Sequence, residues 1–324
     1  MDGCTFEQWS HWLRTHVDEL SAAQRRQMSA TLQRGSLRQQ TIAIIEAAAA
    51  ATLACPRCGA RRLHRDGHAN GLQRYQCVRC GRTFNSLTGT PLARLRHKGK
   101  WLAYLDTMLD SATVRRAAAR VEVHRNTSFR WRHRFLTWSQ HDRQLPLRGI
   151  AEADETYLLE SQKGARRLNR PPRRRGGVAS RRGISSEHVC ILVARDRAGR
   201  THDAVTGRAP LRRADLTVHL ASVLAPGCVL LTDGHPAYPG FARAHGVTHR
   251  AVNQSAGARV QGQWHVQNVN AYHSRFKQWL RNFHGVATRY LANYLGWRWA
   301  VDGARIATAE ALLRSALAPP PPRI

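Results

Sequence analysis

Three side chains with oxygen donors lie at positions where a mixed sheet would bring them together. Asp154 follows a short strand-like run from Ile150, and Asp233 ends the apolar run of residues 228–232. Asn270 lies in a later stretch with helical spacing. Ligands of α/β sheets collect beyond the carboxyl ends of the strands, and oxygen donors suit Mg²⁺. These positions therefore predict a magnesium site, although aspartates that end strands also serve as plain turn formers.

The stretch of residues 265–280 is predicted to be an amphipathic helix, because its apolar residues recur with helical spacing. Asn270 and Lys277 are seven residues apart, so they point the same way about 10.5 Å apart along the axis. A neutral oxygen ligand and a cation are then presented together, with Arg281 one turn further on. The simpler alternative is a helix packed by its apolar face with solvated polar residues opposite.

Two Cys-x-x-Cys pairs, each followed by glycine and separated by 18 residues, have the spacing of a four-thiolate zinc ribbon. The predicted zinc ligands are Cys55, Cys58, Cys77 and Cys80. Four thiolates close a tetrahedral site, so we do not expect the intervening histidines to bind the ion. Paired thiols of this kind favour a structural metal in a reducing compartment over a disulfide framework.

Residues 113–136 have the pattern of a helix-turn-helix, with small alanines in the first helix and a basic second helix from residue 125. The predicted DNA-binding residues of this second helix are Arg125, Asn126, Ser128, Arg130, Arg132 and Arg134. A basic helical hairpin without sequence recognition is the alternative.

The chain of 324 residues has a formal net charge of +30, which indicates a polyanionic partner, by default nucleic acid. An anionic membrane surface is the rival, but no apolar run approaches the roughly 20 residues needed to span a bilayer. Residues 163–183 hold nine Lys or Arg and no acid, which predicts a loop that orders on a phosphate backbone. Its central candidates for DNA contact are Arg173, Arg174 and Arg175.

The predicted fold class is a multidomain α+β chain. We expect an N-terminal helical region over residues 1–54, a zinc ribbon over 55–90 and a helix-turn-helix domain over 98–140. Residues 149–306 follow the order hairpin-rich strands, helix, strand, helix, which a ribonuclease-H-like mixed α/β catalytic domain requires. A Pro-rich tail covers residues 317–324. In such a domain Asp154, Asp233 and Asn270 would hold two Mg²⁺ ions, roughly 4 Å apart, for phosphodiester chemistry.

These motifs together resemble the bacterial insertion-sequence transposases of the ISXO2-like group. The matching pieces are the two cysteine pairs, Asp154 followed by Glu-Thr-Tyr, Asp233 between Thr and Gly, and His265 followed at fixed spacing by Asn270 and Lys277. The resemblance covers roughly residues 50–305. It implies a cytoplasmic, nucleoid-associated enzyme that acts as an oligomer on double-stranded DNA, at terminal inverted repeats and target sites.

The resemblance also implies roles for the site residues. Asp154 and Asp233 would hold the two catalytic Mg²⁺ ions, for which Mn²⁺ can substitute. Asn270 would take the third position, where most such enzymes carry Glu, and Lys277 would contact DNA near the scissile phosphate. Because an amide brings no charge, Glu152 or Glu155 is a candidate to supply the missing charge.

Two other functions fit parts of the pattern. A DNA-binding regulator would use the zinc ribbon and helix-turn-helix on a catalytically inactive, domesticated core. A ribonuclease-H-like nuclease would cut DNA without joining ends. The regulator requires binding without metal-dependent cleavage, whereas the nuclease requires cleavage without strand transfer.

Overall fold

The computed structural model describes residues 3–140, 146–174, 176–252 and 264–318. Over these residues the chain is a mixed α/β structure with one three-stranded and one five-stranded sheet. The helices α1 (Gly3–His16) and α2 (Ala22–Ala50) precede the small sheet. Ser21 caps α2 through a reciprocal pair of hydrogen bonds with Gln24, which satisfies donors at the start of the helix. The described residues of this N-terminal region are thus mostly helical.

The small sheet is an antiparallel meander of β1 (Leu63–Ala69), β2 (Leu72–Cys77) and β3 (Thr83–Asn85). Tyr75 and Phe84 stack across it with ring centroids 5.7 Å apart. Glu46 of α2 accepts hydrogen bonds from the backbone of Gln73 and the hydroxyl of Ser86, at 3.0 and 2.6 Å. The carboxylate of Glu46 therefore links α2 to the small sheet through hydrogen bonds.

Three helices follow, α3 (Trp101–Leu109), α4 (Val114–Arg120) and α5 (Arg125–Phe135). Thr113 caps α4 through a bond from the amide of Arg116, and Glu122 adopts a positive φ of 52° in the turn between α4 and α5. Two helices joined by a tight turn therefore lie where the sequence predicted them. The predicted boundary between the helix-turn-helix domain and the catalytic domain includes residues 141–145, which lie outside the described residues.

The large sheet consists of β4 (Ile150–Leu159), β5 (His188–Asp196), β6 (Thr201–Arg208), β7 (Val229–Thr232) and β8 (Thr248–Ala251). Its spatial order is β6-β5-β4-β7-β8. The first three strands form an antiparallel meander, whereas β4 pairs with β7 and β7 with β8 in parallel. Helix α6 (Arg213–Leu220) connects β6 to β7, and α7 (Ala237–His245) connects β7 to β8.

The two faces of the large sheet are covered differently. Leu216, Tyr238 and Phe241 of α6 and α7 pack on one face with Ala151 and Leu192. On the other face α8 (Gln267–Arg281) and α9 (Leu291–Asp302) share a core with Val193 of β5 and with the α3–α5 helices; α10 (Ala309–Leu317) also joins this core. The sheet and the three-helix segment are therefore joined by one apolar core.

Helix α9 approaches the segment after α5 closely, and Gly296 makes this possible. A Cβ at residue 296 would lie 2.2 Å from the carbonyl oxygen of Ser139, closer than two such atoms can pack. In the described part of the chain, no helix is long and apolar enough to cross a membrane.

Candidate active site and metal centre

Asp154 and Asp233 are brought side by side by the parallel pairing of β4 and β7. The register aligns Glu152 with Leu231, so two residues further along Asp154 lies beside Asp233. Paired residues of neighbouring strands point to the same face, and Leu231 belongs to the core beneath α8. Both aspartates therefore lie on the face that α8 covers, just beyond the carboxyl end of β7.

The prediction that β4 ends at the carboxylates is wrong. The strand continues to Leu159, because residues 156–159 pair with β5 in an unbroken antiparallel ladder. What ends near Asp154 is the contact with β7, which stops at Thr232. The opening beside Asp154 is thus made by the short neighbour and not by the end of its own strand.

Helix α8 lies over this opening. His273 is buried, and its Nδ1 atom lies 3.4 Å from a carboxylate oxygen of Asp154. Asn270 precedes His273 by three residues, so both lie on the same side of the helix. Asn270 is half-buried, and its spacing from His273 places it on the side of α8 that faces Asp154. The predicted helix over this stretch is confirmed.

The electrostatics of the opening reflect crowded carboxylates. Partial burial and the neighbouring Asp154 raise the pKa of Asp233. Glu155 projects to the opposite face of β4, because successive residues of a strand alternate between faces, and there the hydroxyl of Tyr238 donates to it at 3.0 Å. Burial, with Asp154 and Asp233 nearby, raises the pKa of Glu155 to about 7. A cation at this opening would relieve this repulsion, and the donor set of two carboxylates and an amide has the hard oxygen chemistry that Mg²⁺ requires.

The two glutamates considered as sources of the missing negative charge have different surroundings. Glu152 is fully buried and both of its oxygens are engaged, by Asn268 and Arg197 on one side and the amide of Val269 on the other. Its oxygens are therefore occupied within the protein, and the hypothesis that Glu152 supplies the missing charge stays a prediction. Glu155 lies close enough to Asp154 and Asp233 to interact with their charges, but on the far face of the strand.

Lys277 and Arg281 are exposed on α8. Lys277 follows Asn270 by almost two turns, so it lies on the same side of the helix, further from the start. Both cations are accessible to a DNA backbone approaching the opening.

The four cysteines of the two pairs converge at one end of the small sheet. Their sulfurs lie within 4.8 Å of one another, with Cys55 and Cys80 at 3.6 Å and Cys58 and Cys77 at 3.6 Å. Thiolates about 2.3 Å from a tetrahedral zinc ion are about 3.8 Å apart, so this spacing fits zinc. Among the residues that the structure describes, no other group of three or more His, Cys, Asp or Glu side chains is gathered in this way.

The two glycines after the cysteine pairs shape the cysteine site. Gly59 and Gly81 have φ angles of 72° and 66°, and each donates its amide at 2.9 Å to the carbonyl of the first cysteine of its pair. This left-handed conformation is accessible to glycine at little cost. Each cysteine pair is therefore held in a tight loop that points both sulfurs inward.

The residues predicted on α5 divide into two groups. Arg125, Asn126 and Arg130 are exposed and free to approach DNA. Arg134 is also exposed, but its guanidinium donates to the carbonyls of Pro91 and Ala93. One face of α5 is thus open, and the helix is also fastened to the segment before α3.

The prediction that Ser128 and Arg132 contact DNA is corrected by their burial, since both are 0% exposed. Ser128 donates to the carbonyl of Val114 at 3.0 Å, which closes α5 onto α4. Arg132 donates to the carbonyl of Ala112 at 2.6 Å. Its guanidinium also lies 5.1 and 5.6 Å from the ring centroids of Trp297 and Phe283. Both side chains are part of the packing beneath α5.

The basic loop is more ordered than its composition suggests. Arg173 donates to Glu187 at 2.6 Å and to the carbonyl of Glu160 at 2.9 Å, so its guanidinium is engaged within the protein. This contact lowers the pKa of Glu187 to about 2. Arg174 is exposed, whereas Arg175 lies outside the described residues. Of the three arginines predicted here, Arg174 is the one that the structure describes as accessible.

Two residues that contact the carboxylates of β4 were not predicted from the sequence. His273 contacts Asp154, and Tyr238 donates to Glu155. The only signal for His273 is its position three residues after Asn270 on a helix, which by itself fits a solvated histidine equally well. Tyr238 gives no signal, because an aromatic residue in an amphipathic helix is expected in the core.

Comparisons with known proteins agree on one family. Residues 146–299 match the model of the ISXO2-like transposase domain. The chain is 30% identical over 247 residues to an uncharacterized protein in the transposable element ISH50 of Halobacterium salinarum, which covers 74% of this chain and 82% of that protein.

A match was also found among solved structures. It is the crystal structure of a pre-cleavage Mos1 transpososome, with 14% sequence identity over 63% of this chain and 78% of that chain. Its TM-score of 0.19 is too low to carry an argument. On the family match and the relative together, the chain belongs to the family of ISXO2-like transposases.

Proposed function

We propose that this transposase binds the ends of its element and catalyses DNA strand cleavage and strand transfer with two divalent metal ions. The observation that carries this proposal is the placement of Asp154 beside Asp233 under the Asn270 side of α8. The strand order of the large sheet, a meander followed by two parallel strands with intervening helices, supports a ribonuclease-H-like catalytic domain.

In this proposal Asp154 and Asp233 hold the metal ions through carboxylate oxygens, and Asn270 completes the set through its amide oxygen. Mg²⁺ or Mn²⁺, when bound, would activate the attacking oxygen and stabilise the leaving one. His273, on α8, orients the carboxylate of Asp154 through its Nδ1 atom. Lys277 holds the DNA backbone at the opening, since phosphodiester chemistry depends largely on positioning and charge.

Binding to DNA is assigned to three basic surfaces. These are the exposed face of α5, the small sheet, whose four cysteines would hold a structural zinc ion, and the exposed arginines of the basic loop. Phosphate contacts supply affinity and orientation, whereas base contacts supply specificity. Arg125, Asn126 and Arg130 lie in the first half of α5, where a recognition helix contacts base edges.

The test is Mg²⁺-dependent nicking and joining of a duplex that carries the element's own ends. The native chain should cut it, Asp233→Ala should bind it without cutting, and Asp110→Ala, which alters an exposed carboxylate elsewhere, should cut normally. Tight binding by the native chain with no cleavage in Mg²⁺ or Mn²⁺ would refute the catalytic proposal and favour a regulator, for which the uncharged Asn270 is the supporting observation. Cleavage without joined products would indicate a nuclease.

A further inference from the structure

The residues that precede α8 cap its start only in part. Val266 makes no side-chain cap, and Nδ1 of His265 accepts one long hydrogen bond, at 3.4 Å, from the amide of Gln267. The first four N–H groups of a helix have no partner within the helix, so they must be satisfied from outside. This is the helix end that carries Asn270.

Glu152 of β4 supplies that cap from another element. One of its oxygens accepts from the backbone N–H of Val269 at 3.0 Å, and the other accepts from the side-chain amide of Asn268 at 2.8 Å. Arg197 lies 2.6 Å from the second oxygen, so the buried charge is paired. A carboxylate at a helix start is also favoured by the positive end of the helix dipole. Glu152 is 0% exposed, which excludes competition by bulk water.

The same strand therefore fixes two members of the proposed catalytic set. Glu152 and Asp154 are two residues apart and point to the same face of β4. Glu152 holds Val269, the neighbour of Asn270, while Asp154 contacts His273 one turn further along α8. Together with the apolar core beneath α8, these two contacts hold the start of the helix over the strand, and so affect the position of Asn270 relative to Asp154.

We propose that Glu152 is a positioning residue, which caps α8 and thereby holds the amide oxygen of Asn270 in place to bind a divalent metal ion. This inference deepens the proposed function and rests on it. A neutral amide gains no long-range attraction from the ion, so its contribution depends on position more than that of a carboxylate would. Outer contacts of this kind commonly change metal affinity 10- to 100-fold when they are removed.

The test compares Glu152→Gln with Asp196→Asn in the full-length chain. Asp196 is a second buried carboxylate of the same sheet, which binds Arg200 and the backbone of the β5–β6 turn and does not contact α8. Glutamine offers one acceptor oxygen, whereas Val269, Asn268 and Arg197 all donate to Glu152, so the variant cannot keep all three contacts and the cap is weakened. Mn²⁺ binding, followed through the magnetic resonance signal of the free ion, and amide hydrogen exchange are measured on both variants.

Glu152→Gln should raise the Mn²⁺ concentration for half-saturation about tenfold and should accelerate exchange in residues 267–270 at least about tenfold. Asp196→Asn should leave both unchanged even where it lowers the melting temperature. Unchanged Mn²⁺ binding in Glu152→Gln, or an equal loss in both variants, would overturn the inference and leave Glu152 a merely structural residue.

If Glu152→Gln does not fold, Asn268→Ala is used for the same test, because it removes a single donor to Glu152 and leaves the carboxylate in place. A weakened Mn²⁺ affinity supports the inference, and an unchanged affinity overturns it. Hydrogen exchange requires neither metal nor DNA. A native chain that binds no Mn²⁺ and cuts no DNA would therefore refute the proposed function, while the exchange result would still show whether Glu152 caps α8.

Discussion

Two arginines of α5, two residues apart, should respond in opposite ways to the same substitution. Arg130 is exposed, whereas Arg132 is fully buried against the rings of Trp297 and Phe283. From the structure, Arg132→Ala removes packing and a hydrogen bond, and Arg130→Ala removes a cation available to DNA. The pair is well matched, because both changes are made on one helix and to one residue type.

The expected loss in the free energy of unfolding for Arg132→Ala follows from three contributions. Truncation of a large buried side chain costs about 3–5 kcal/mol, and the orphaned carbonyl of Ala112 adds about 1–3 kcal/mol. Release of a buried charge returns several kcal/mol, so the net destabilisation is roughly 2–4 kcal/mol. At about 2 °C per kcal/mol for a chain of this size, the melting temperature should fall by roughly 4–8 °C. Arg130→Ala should change stability by less than about 0.5 kcal/mol.

DNA binding at several salt concentrations separates the two roles. Each phosphate contact contributes about −0.9 to the slope of log K against log salt. Arg130→Ala should reduce the steepness by about that amount, whereas Arg132→Ala, measured well below its melting temperature, should leave the slope unchanged. A reduced slope with an unchanged melting temperature for Arg132→Ala would refute the reasoning, since it would mean that the buried guanidinium reaches DNA.

Three further outcomes are expected. Cys58→Ser should reduce bound zinc from one per chain to much less and lower the melting temperature, as measured by elemental analysis and calorimetry; full zinc content would contradict the four-sulfur site. Burial, with Arg132 and Arg289 nearby, lowers the pKa of His133 to about 4, so the folded state takes up its proton less readily than the unfolded state. Stability present above pH 6.5 should therefore be lost as the pH falls towards 4, by up to about 3 kcal/mol, and His133→Gln should flatten this dependence in melts from pH 7.5 to 4.5. Lys277→Ala should reduce strand cleavage more than end binding, and equal losses would contradict its role at the scissile phosphate.

The elements around the site were largely predictable because their signals are local. Helical periodicity places α8 within two residues of its observed bounds, and alternation along β4 predicts that Glu155 faces away from Asp154. Cysteine spacing predicts the gathered sulfurs, because two tight turns leave little freedom in how the pairs meet. Each of these signals lies within a few residues of the feature that it predicts.

The burial of Arg132 and the contacts of Glu152 with α8 could not be predicted, for the opposite reason. A basic residue in a basic helix looks the same in sequence whether it faces water or the core. The partners that bury Arg132 are Trp297 and Phe283, more than 150 residues away. The role of Glu152 likewise depends on Val269, more than 100 residues further along the chain. Such pairings are set by tertiary packing and leave no local periodicity.

This packing has a consequence for the proposed reaction. Helix α5 and helix α8 belong to the same apolar core, and the indole of Trp279 on α8 donates to Ser111 before α4 at 2.8 Å. His133 of α5 stacks on Tyr290 at a centroid distance of 3.8 Å. On the proposed function, DNA bound by the exposed face of α5 would therefore be held at a fixed position relative to Asp154. The distance from the recognised sequence to the cleaved bond would then be set by side-chain packing. Substitutions between α5 and α8 should therefore make the cleavage position less precise before they abolish cleavage.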